Sequence, residues 1–226
     1  MPLKIPVLIC SMSAIKIQTS LAQTVAGHLL DIGAIKLNHK QPFTWSSGWK
    51  SPVYCDNRLA LSYPAIRTYI KESLAAAIKD NFKNVECIAG VATAGVPQGA
   101  LVADLLDLPF VYVRPKPKDH GMGNLIEGKV VKGQRAVLIE DLISTGGSSL
   151  KAAEAMKDAG FDVVGMAAIF TYGFHVAEKA FADAKIQLIC LSDFNFLLQE
   201  ALQRKYITED QLVYVKSWRL DPGNWK

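Results

Sequence analysis

Residues 137–149 read Val-Leu-Ile-Glu-Asp-Leu-Ile-Ser-Thr-Gly-Gly-Ser-Ser. An apolar run suited to a buried strand ends in two adjacent carboxylates, Glu140 and Asp141, and a loop of small residues follows before a helical pattern that begins near Leu150. Gly146 and Gly147 open main-chain conformations closed to other residues and let a ligand approach the backbone. Ser144, Thr145, Ser148 and Ser149 add hydroxyl donors, and the first amides of the following helix are unpaired and favour an anion. Such a loop can hold a phosphate. Carboxylates beside a phosphate repel it unless they face hydroxyls or a cation, so the ligand should carry a polyol or a bound magnesium ion. A sugar phosphate satisfies both demands. No Gly-Lys-Ser/Thr follows four residues after a glycine, and no Gly-x-Gly-x-x-Gly turn is present, so this is neither a Walker loop nor a dinucleotide turn. Gly-Gly-Ser alone also occurs in ordinary acidic turns, but an apolar strand running into Glu-Asp and then Ser-Thr-Gly-Gly-Ser is much less common.

A second segment supplies the opposite charge. From Arg114 to Gly128 the chain carries Arg114, Lys116, Lys118 and His120 within seven residues, followed by Gly121, Gly123 and Gly128. Unstructured loops of more than about 12–15 residues are usually lids or disordered segments. This one reads as a positively charged lid suited to a polyanion.

The elements that must position these residues follow from hydrophobic periodicity. A helix opened by Ser62 and Pro64 runs to about Phe82, and strands at 86–92, 110–113, 135–139, 163–170 and 186–191 alternate with helices at about 96–106, 148–159 and 176–184. Five apolar strands alternating with helices predict an α/β fold with a parallel sheet covered on both faces. Ligands of such sheets lie at the carboxyl ends of the strands, which gathers the loops at Thr93, Arg114, Glu140 and Thr171 around one crevice. The flanks lie outside this alternation. Residues 13–62 hold an amphipathic helix from about Ile15 to Asp31 and then irregular, aromatic strands; residues 193–226 hold two short helices, the second with Thr208 and Gln211 at capping-box spacing. A single domain is expected, with a core at about 63–192 and an accessory lobe formed by both flanks over the crevice. Residues 1–11 read as a possible extension, with Met12 as an alternative start.

These residues resemble a known family. The Glu140 to Ser148 stretch is similar to the signature of type I phosphoribosyltransferases, and Lys118-Asp119-His120-Gly121 resembles the lid motif of orotate phosphoribosyltransferases. Phe43 and Thr44, with Ser47, Gly48, Ser51, Pro52, Tyr54, Asp56 and Arg58, resemble that family's amino-terminal pattern. The resemblance implies the type I fold with a hood from both chain ends, and transfer of a phosphoribosyl group from phosphoribosyl pyrophosphate to orotate in pyrimidine synthesis, with magnesium. It implies that Arg114, Lys118 and His120 meet the pyrophosphate, with Lys118 and His120 catalytic. It implies that Glu140, Asp141, Leu142, Ile143, Ser144, Thr145, Gly146, Gly147 and Ser148 bind the ribose phosphate, and that Ser144 also touches orotate. A homodimer with the lid reaching into the neighbouring site is implied too, and no metal held directly by side chains. Some positions depart from the pattern: Ser46 and Ala94 stand where lysine or a Tyr-Lys pair is frequent, and Pro115 replaces a lysine. No arginine occurs in Thr171-Tyr172-Gly173-Phe174, where the family carries one for the orotate carboxylate. Lys50 and Arg58 are the cations that could take its place.

Composition fits a small-molecule enzyme. Across 226 residues half are hydrophobic and a fifth charged, and the net charge of +4 comes from scattered basic residues, so nucleic acid is not required as a partner. The apolar opening from Leu3 to Cys10 is broken by Pro6 and is too short to span a membrane. Cys10, Cys55, Cys87 and Cys190 form no Cys-x-x-Cys pair, which points to neither zinc nor a disulfide framework and fits a reducing cytoplasm. Cys87 and Cys190 read as core residues. A phosphoribosyltransferase for another base should lack the lid and Phe-Thr patterns. A non-enzymatic phosphoribosyl pyrophosphate sensor acting on nucleic acid needs a basic face or a helix-turn-helix, and the sequence shows neither.

Overall fold

In the computed structural model of the protein, residues 14–38, 41–45, 48–116 and 125–225 are described. In chain order they form β1 (Ile15–Ile17), α1 (Thr19–Asp31), β2 (Ile35–Leu37), β3 (Phe43–Thr44), β4 (Lys50–Ser51) and β5 (Val53–Cys55). A 3-10 turn (Asn57–Ser62), α2 (Pro64–Asn81), β6 (Cys87–Val91), α3 (Gly95–Leu106), β7 (Phe110–Val113) and β8 (Ile126–Glu127) follow. The chain continues through β9 (Arg135–Ile143), α4 (Gly147–Asp158), β10 (Asp162–Thr171), α5 (His175–Asp183), β11 (Leu188–Asp193), α6 (Phe194–Gln203) and α7 (Glu209–Leu220).

The main sheet has the order β1-β11-β10-β9-β6-β7-β8. Its central block is the five parallel strands that periodicity predicts, and two short strands are added at its edges: β1, parallel to β11, and β8, antiparallel to β7. Two features correct the sequence reading. Ile15–Ile17 forms a strand rather than the first turn of a helix, because β11 leaves an unpaired edge that Ile15, Lys16 and Ile17 satisfy against Leu188, Ile189 and Cys190. The strand expected to end at Ile139 continues through the acidic pair, because β10 runs alongside it and pairs Ala168 with Glu140, Phe170 with Leu142 and Thr171 with Ile143.

Alternation along the strands divides the core in two. Val137 and Ile139 of β9 join one cluster with residues of α1, α2, α3, α6 and α7, such as Leu29, Leu74, Val102, Leu197 and Trp218. Ala136 and Leu138 join the opposite cluster with Met156 of α4 and Phe181 of α5. Cys87 and Cys190 are fully buried in this second cluster, as expected of core thiols. The Thr208–Gln211 capping box at α7 is formed, and Asp193 caps α6 by accepting from Asn195 N at 2.8 Å and Phe196 N at 3.0 Å. Among the described residues no helix is long and apolar enough to cross a membrane.

The first residue of α3 sets how closely that helix meets the central strand. A Cβ on Gly95 would lie 2.3 Å from the Ile139 carbonyl oxygen and 3.2 Å from Glu140 Cα, so only glycine lets α3 start directly against the backbone that carries the acidic pair. Backbone cannot step aside as a side chain can. Gly95→Ala is expected to cost about 1–3 kcal/mol through overpacking, which for a chain of this size lowers Tm by roughly 2–4 °C per kcal/mol. Thermal unfolding followed by circular dichroism tests this, and an unchanged midpoint refutes it.

Candidate active site

The strand order creates a crevice. From β6 the chain passes through α3 to β7 on one side, and from β9 it passes through α4 to β10 on the other, so the two connections diverge between β6 and β9. Ligands of open α/β sheets bind at such a divergence, beyond the carboxyl ends of the strands.

At the end of β9 the acidic pair is largely withdrawn from water. Glu140 is buried; its Oε2 accepts from Ser149 Oγ and its Oε1 from the Asp141 amide, both at 3.1 Å. The Asp141 carbonyl accepts from Asn57 Nδ2 at 2.7 Å. Burial pushes both carboxyls above the usual carboxylate range, Glu140 well above it, and the adjacent Asp141 charge adds to the shift on Glu140. Arg58 draws Asp141 partly back, but its guanidinium is held by Asp56, Nε to Oδ1 at 2.6 Å and Nη2 to Oδ2 at 3.0 Å.

The loop from Ser144 to Gly146 leads into α4, with Gly146 at φ +82° and no room for a Cβ, which would lie 2.8 Å from the Phe181 ring. One cavity opens at each end of this loop. The first, about 450 Å³, is lined by Leu142, Ser144, Thr145 and Tyr172 from the ends of β9 and β10 and by Thr44 and Trp45, among others, from the amino-terminal hairpin. The second, about 560 Å³, is bounded by Ala92, Val113, Arg114, Gly147, Ser148 and Lys151, among others. The predicted site residues therefore divide: Leu142, Ser144 and Thr145 face the first cavity, and Arg114, Gly147 and Ser148 the second. Ile143 faces neither. Its side chain is fully buried in the core and its carbonyl accepts from Thr171 Oγ1 at 3.1 Å and the Tyr172 amide at 3.2 Å. Arg114 is fixed at the base of the basic segment by its own amide, which donates to Leu125 O at 2.8 Å, and by an ion pair to Glu127 at 3.4 Å. Lys118 and His120 lie outside the described residues, as does Ser46.

The first cavity has an aromatic wall that no motif announces. Trp45 lies 4.9 Å from Tyr172 and 6.5 Å from Trp49, which also line it, and Tyr172 stacks on Phe174 at 5.5 Å with planes 17° apart. Offset aromatic planes of this kind suit a flat heterocycle. The signal available in the sequence was an aromatic-rich stretch of irregular strands at 43–54, with nothing to say which ring turns inward. Cys55 also lines this cavity, donates to Asn57 Oδ1 at 3.1 Å, and is pushed well above the usual thiol range by burial and by the nearby Asp141 and Asp56 charges.

Comparison with known proteins places this geometry. The family model described as phosphoribosyl transferase domain matches residues 60–205. Orotate phosphoribosyltransferase from Cytophaga hutchinsonii is 56% identical over 202 residues, 89% of this chain and 97% of the relative. The chain belongs to the orotate phosphoribosyltransferase family. A second member, from Enterococcus faecalis, is 53% identical over 92% of this chain and 99% of its own. The crystal structure of orotate phosphoribosyltransferase from Aeropyrum pernix superimposes with a TM-score of 0.71 at 28% identity, covering 81% of this chain and 99% of that one. UMP synthase from Leishmania donovani gives 0.73 at 27% identity, covering 90% of this chain and 42% of that one. The type I phosphoribosyltransferase fold expected from the sequence is the fold observed.

In this phosphoribosyltransferase the burial of Glu140 has a pH signature. A carboxyl whose folded pKa is raised contributes stability that is fully present below the unfolded value and is lost as pH rises through the folded value. Glu140→Gln removes the charge and keeps an acceptor for Ser149. Its Tm should match the parent in acid, where Glu140 is protonated, and exceed it increasingly as pH rises above the ordinary carboxylate range. Scanning calorimetry of ligand-free protein from pH 4 to 8 tests this; a Tm difference independent of pH contradicts the assignment.

Proposed function

We infer that the protein transfers the phosphoribosyl group of phosphoribosyl pyrophosphate to orotate, giving orotidine 5-monophosphate and pyrophosphate in de novo pyrimidine synthesis. The observation that carries this reading is the pair of cavities at the two ends of the Ser144–Ser148 loop, one walled by aromatic rings and the other bordered by Arg114 and Lys151. A flat base and a polyanion make those opposite demands, and the sugar phosphate joins them.

The chain's own residues supply the chemistry in this scheme. Glu140 and Asp141 accept from the ribose hydroxyls, whose donors offset the cost of keeping the buried pair charged. Ser144, Thr145, Gly146, Gly147 and Ser148 hold the 5-phosphate with hydroxyls and with the first amides of α4, and Ser144 touches the base as well. Cleavage of the bond from anomeric carbon to pyrophosphate makes the ribose cationic and adds negative charge to the leaving group, so neutralising that group dominates catalysis. Arg114, Lys118 and His120 take that task, with Lys118 and His120 as the catalytic groups. Closure of the basic segment keeps water from the cationic sugar.

Magnesium would add positive charge on the pyrophosphate oxygens. Substrate phosphates and water would hold it, since magnesium keeps several of its waters and both Glu140 oxygens already accept, from Ser149 and from the Asp141 amide. Among the described residues no group of three or more His, Cys, Asp or Glu forms a separate metal cage. The protein acts as a cytoplasmic homodimer in this reading, with the lid of one subunit serving the neighbouring site.

Orotate consumption, followed by ultraviolet absorbance with magnesium and phosphoribosyl pyrophosphate, is the direct test. Conversion of another base with orotate untouched overturns the substrate assignment. Lys118→Ala should lower kcat by roughly 10²- to 10³-fold, the loss typical when one transition-state donor is removed, while KM for phosphoribosyl pyrophosphate moves far less. Equal losses in both reduce Lys118 to a binding residue.

A further inference from the structure

The aromatic cavity poses an unsolved electrostatic problem. Orotate carries a carboxylate, and a desolvated carboxylate needs a cation or several strong donors. Among the described residues lining that cavity the polar groups are hydroxyls, a thiol, indoles and phenols, with no Lys, Arg or His. The loop at Thr171 to Phe174 offers none either. Arg58 is committed, since both Nε and Nη2 grip Asp56.

Lys50 differs. It faces Thr44 across the β3–β4 hairpin, and its Nζ donates to Thr44 Oγ1 at 2.7 Å. Thr44 is itself a lining residue of the cavity. The Lys50 ammonium thus stands at the cavity rim with two further protons to donate, and the Thr44 hydroxyl, already accepting, keeps its own proton for a ligand. The Lys50 backbone is anchored, because its carbonyl accepts from the fully buried Trp218 indole at 3.0 Å. The side chain is exposed, so its long stem can swing over the rim without disturbing the core.

We propose that Lys50, seated by Thr44, is the specificity-determining cation that pairs with the orotate carboxylate. The proposal rests on the reading of the aromatic cavity as the base site, and its test separates the two. Binding of orotidine 5-monophosphate and of uridine 5-monophosphate, which differ only in that carboxylate, is measured by titration calorimetry for the parent, Lys50→Met and Lys50→Arg. The parent should prefer the carboxylated nucleotide. Lys50→Met should weaken that nucleotide by roughly 10- to 100-fold, the span of a charge-assisted hydrogen bond, and leave uridine 5-monophosphate nearly unchanged, while Lys50→Arg restores most of the preference. In turnover, KM for orotate should rise in Lys50→Met with KM for phosphoribosyl pyrophosphate constant. A preference that survives in Lys50→Met overturns the role of Lys50 and leaves the cavity reading standing, and equal weakening of both nucleotides overturns it in favour of a structural role. A parent that shows no preference overturns the orotate reading together with Lys50.

Discussion

A buried glutamate and its partly buried aspartate neighbour near the end of the central strand are the constraint around which the rest of the site is arranged. Glu140 points to a face of β9 where Ser149 of α4 meets it, so its carboxyl is removed from water, and a buried carboxyl without donors is costly. Two donors reach the Glu140 carboxylate, Ser149 from the first turn of α4 and the Asp141 amide from the strand itself, while Asn57 of the 3-10 turn donates to the main-chain carbonyl of Asp141. Satisfying one strand end therefore fixes the start of α4 and the turn before α2 at once. The anion-favouring amides of α4 and the acidic pair become parts of one rigid unit, which Gly95 allows α3 to abut without displacing.

A second set of contacts brings the chain ends over this unit. Trp218 of α7 and Trp45 after β3 are indoles whose N–H groups need acceptors once removed from water; they find Lys50 O at 3.0 Å and Val53 O at 3.1 Å. Trp218 also meets Trp45, Tyr172, Phe174 and Phe194 edge-on or tilted, with centroids between 5.4 and 5.7 Å. The carboxyl-terminal helix thereby holds the amino-terminal hairpin against the end of β10. Residues more than a hundred positions apart in sequence share one wall of the cavity, and no local pattern records that they meet.

Legibility in the sequence followed the physics of each element. The five central strands are apolar on both faces and long enough to show as runs, and their order is constrained by the right-handed connections that alternating helices require. β1 and β8, of three and two residues, carry no period of their own and exist because a neighbouring edge needed pairing. The continuation of β9 past Glu140 ran against the usual inference that charge ends a buried strand; its cause is the pairing with β10, a long-range fact. Ser144 and Thr145 were legible because they follow an apolar strand and an acidic pair and precede two glycines, whereas Ile143 shares their stretch yet serves the core. The choice between Lys50 and Arg58 depended on which cation is already paired. Asp56 two residues before Arg58 was visible in sequence, but the hydrogen bond across the hairpin from Lys50 to Thr44 required the register of β3 on β4.

The separation of the two cavities has a further physical meaning. A site that must bind an aromatic base and a polyphosphate in one undivided space would put charge beside apolar rings and weaken both interactions. Here the small-residue loop between them has Ser144 and Thr145 facing one cavity and Gly147 and Ser148 facing the other, so the rings and the cations Arg114 and Lys151 stand at opposite ends of it. The aromatic side has neutral polar groups but no Lys, Arg or His among its described lining residues, so a single rim cation counts there. On the basic side Lys151 is exposed and Arg114 partly buried. The acidic pair lies at the root of the loop that joins them, on β9 just before Leu142.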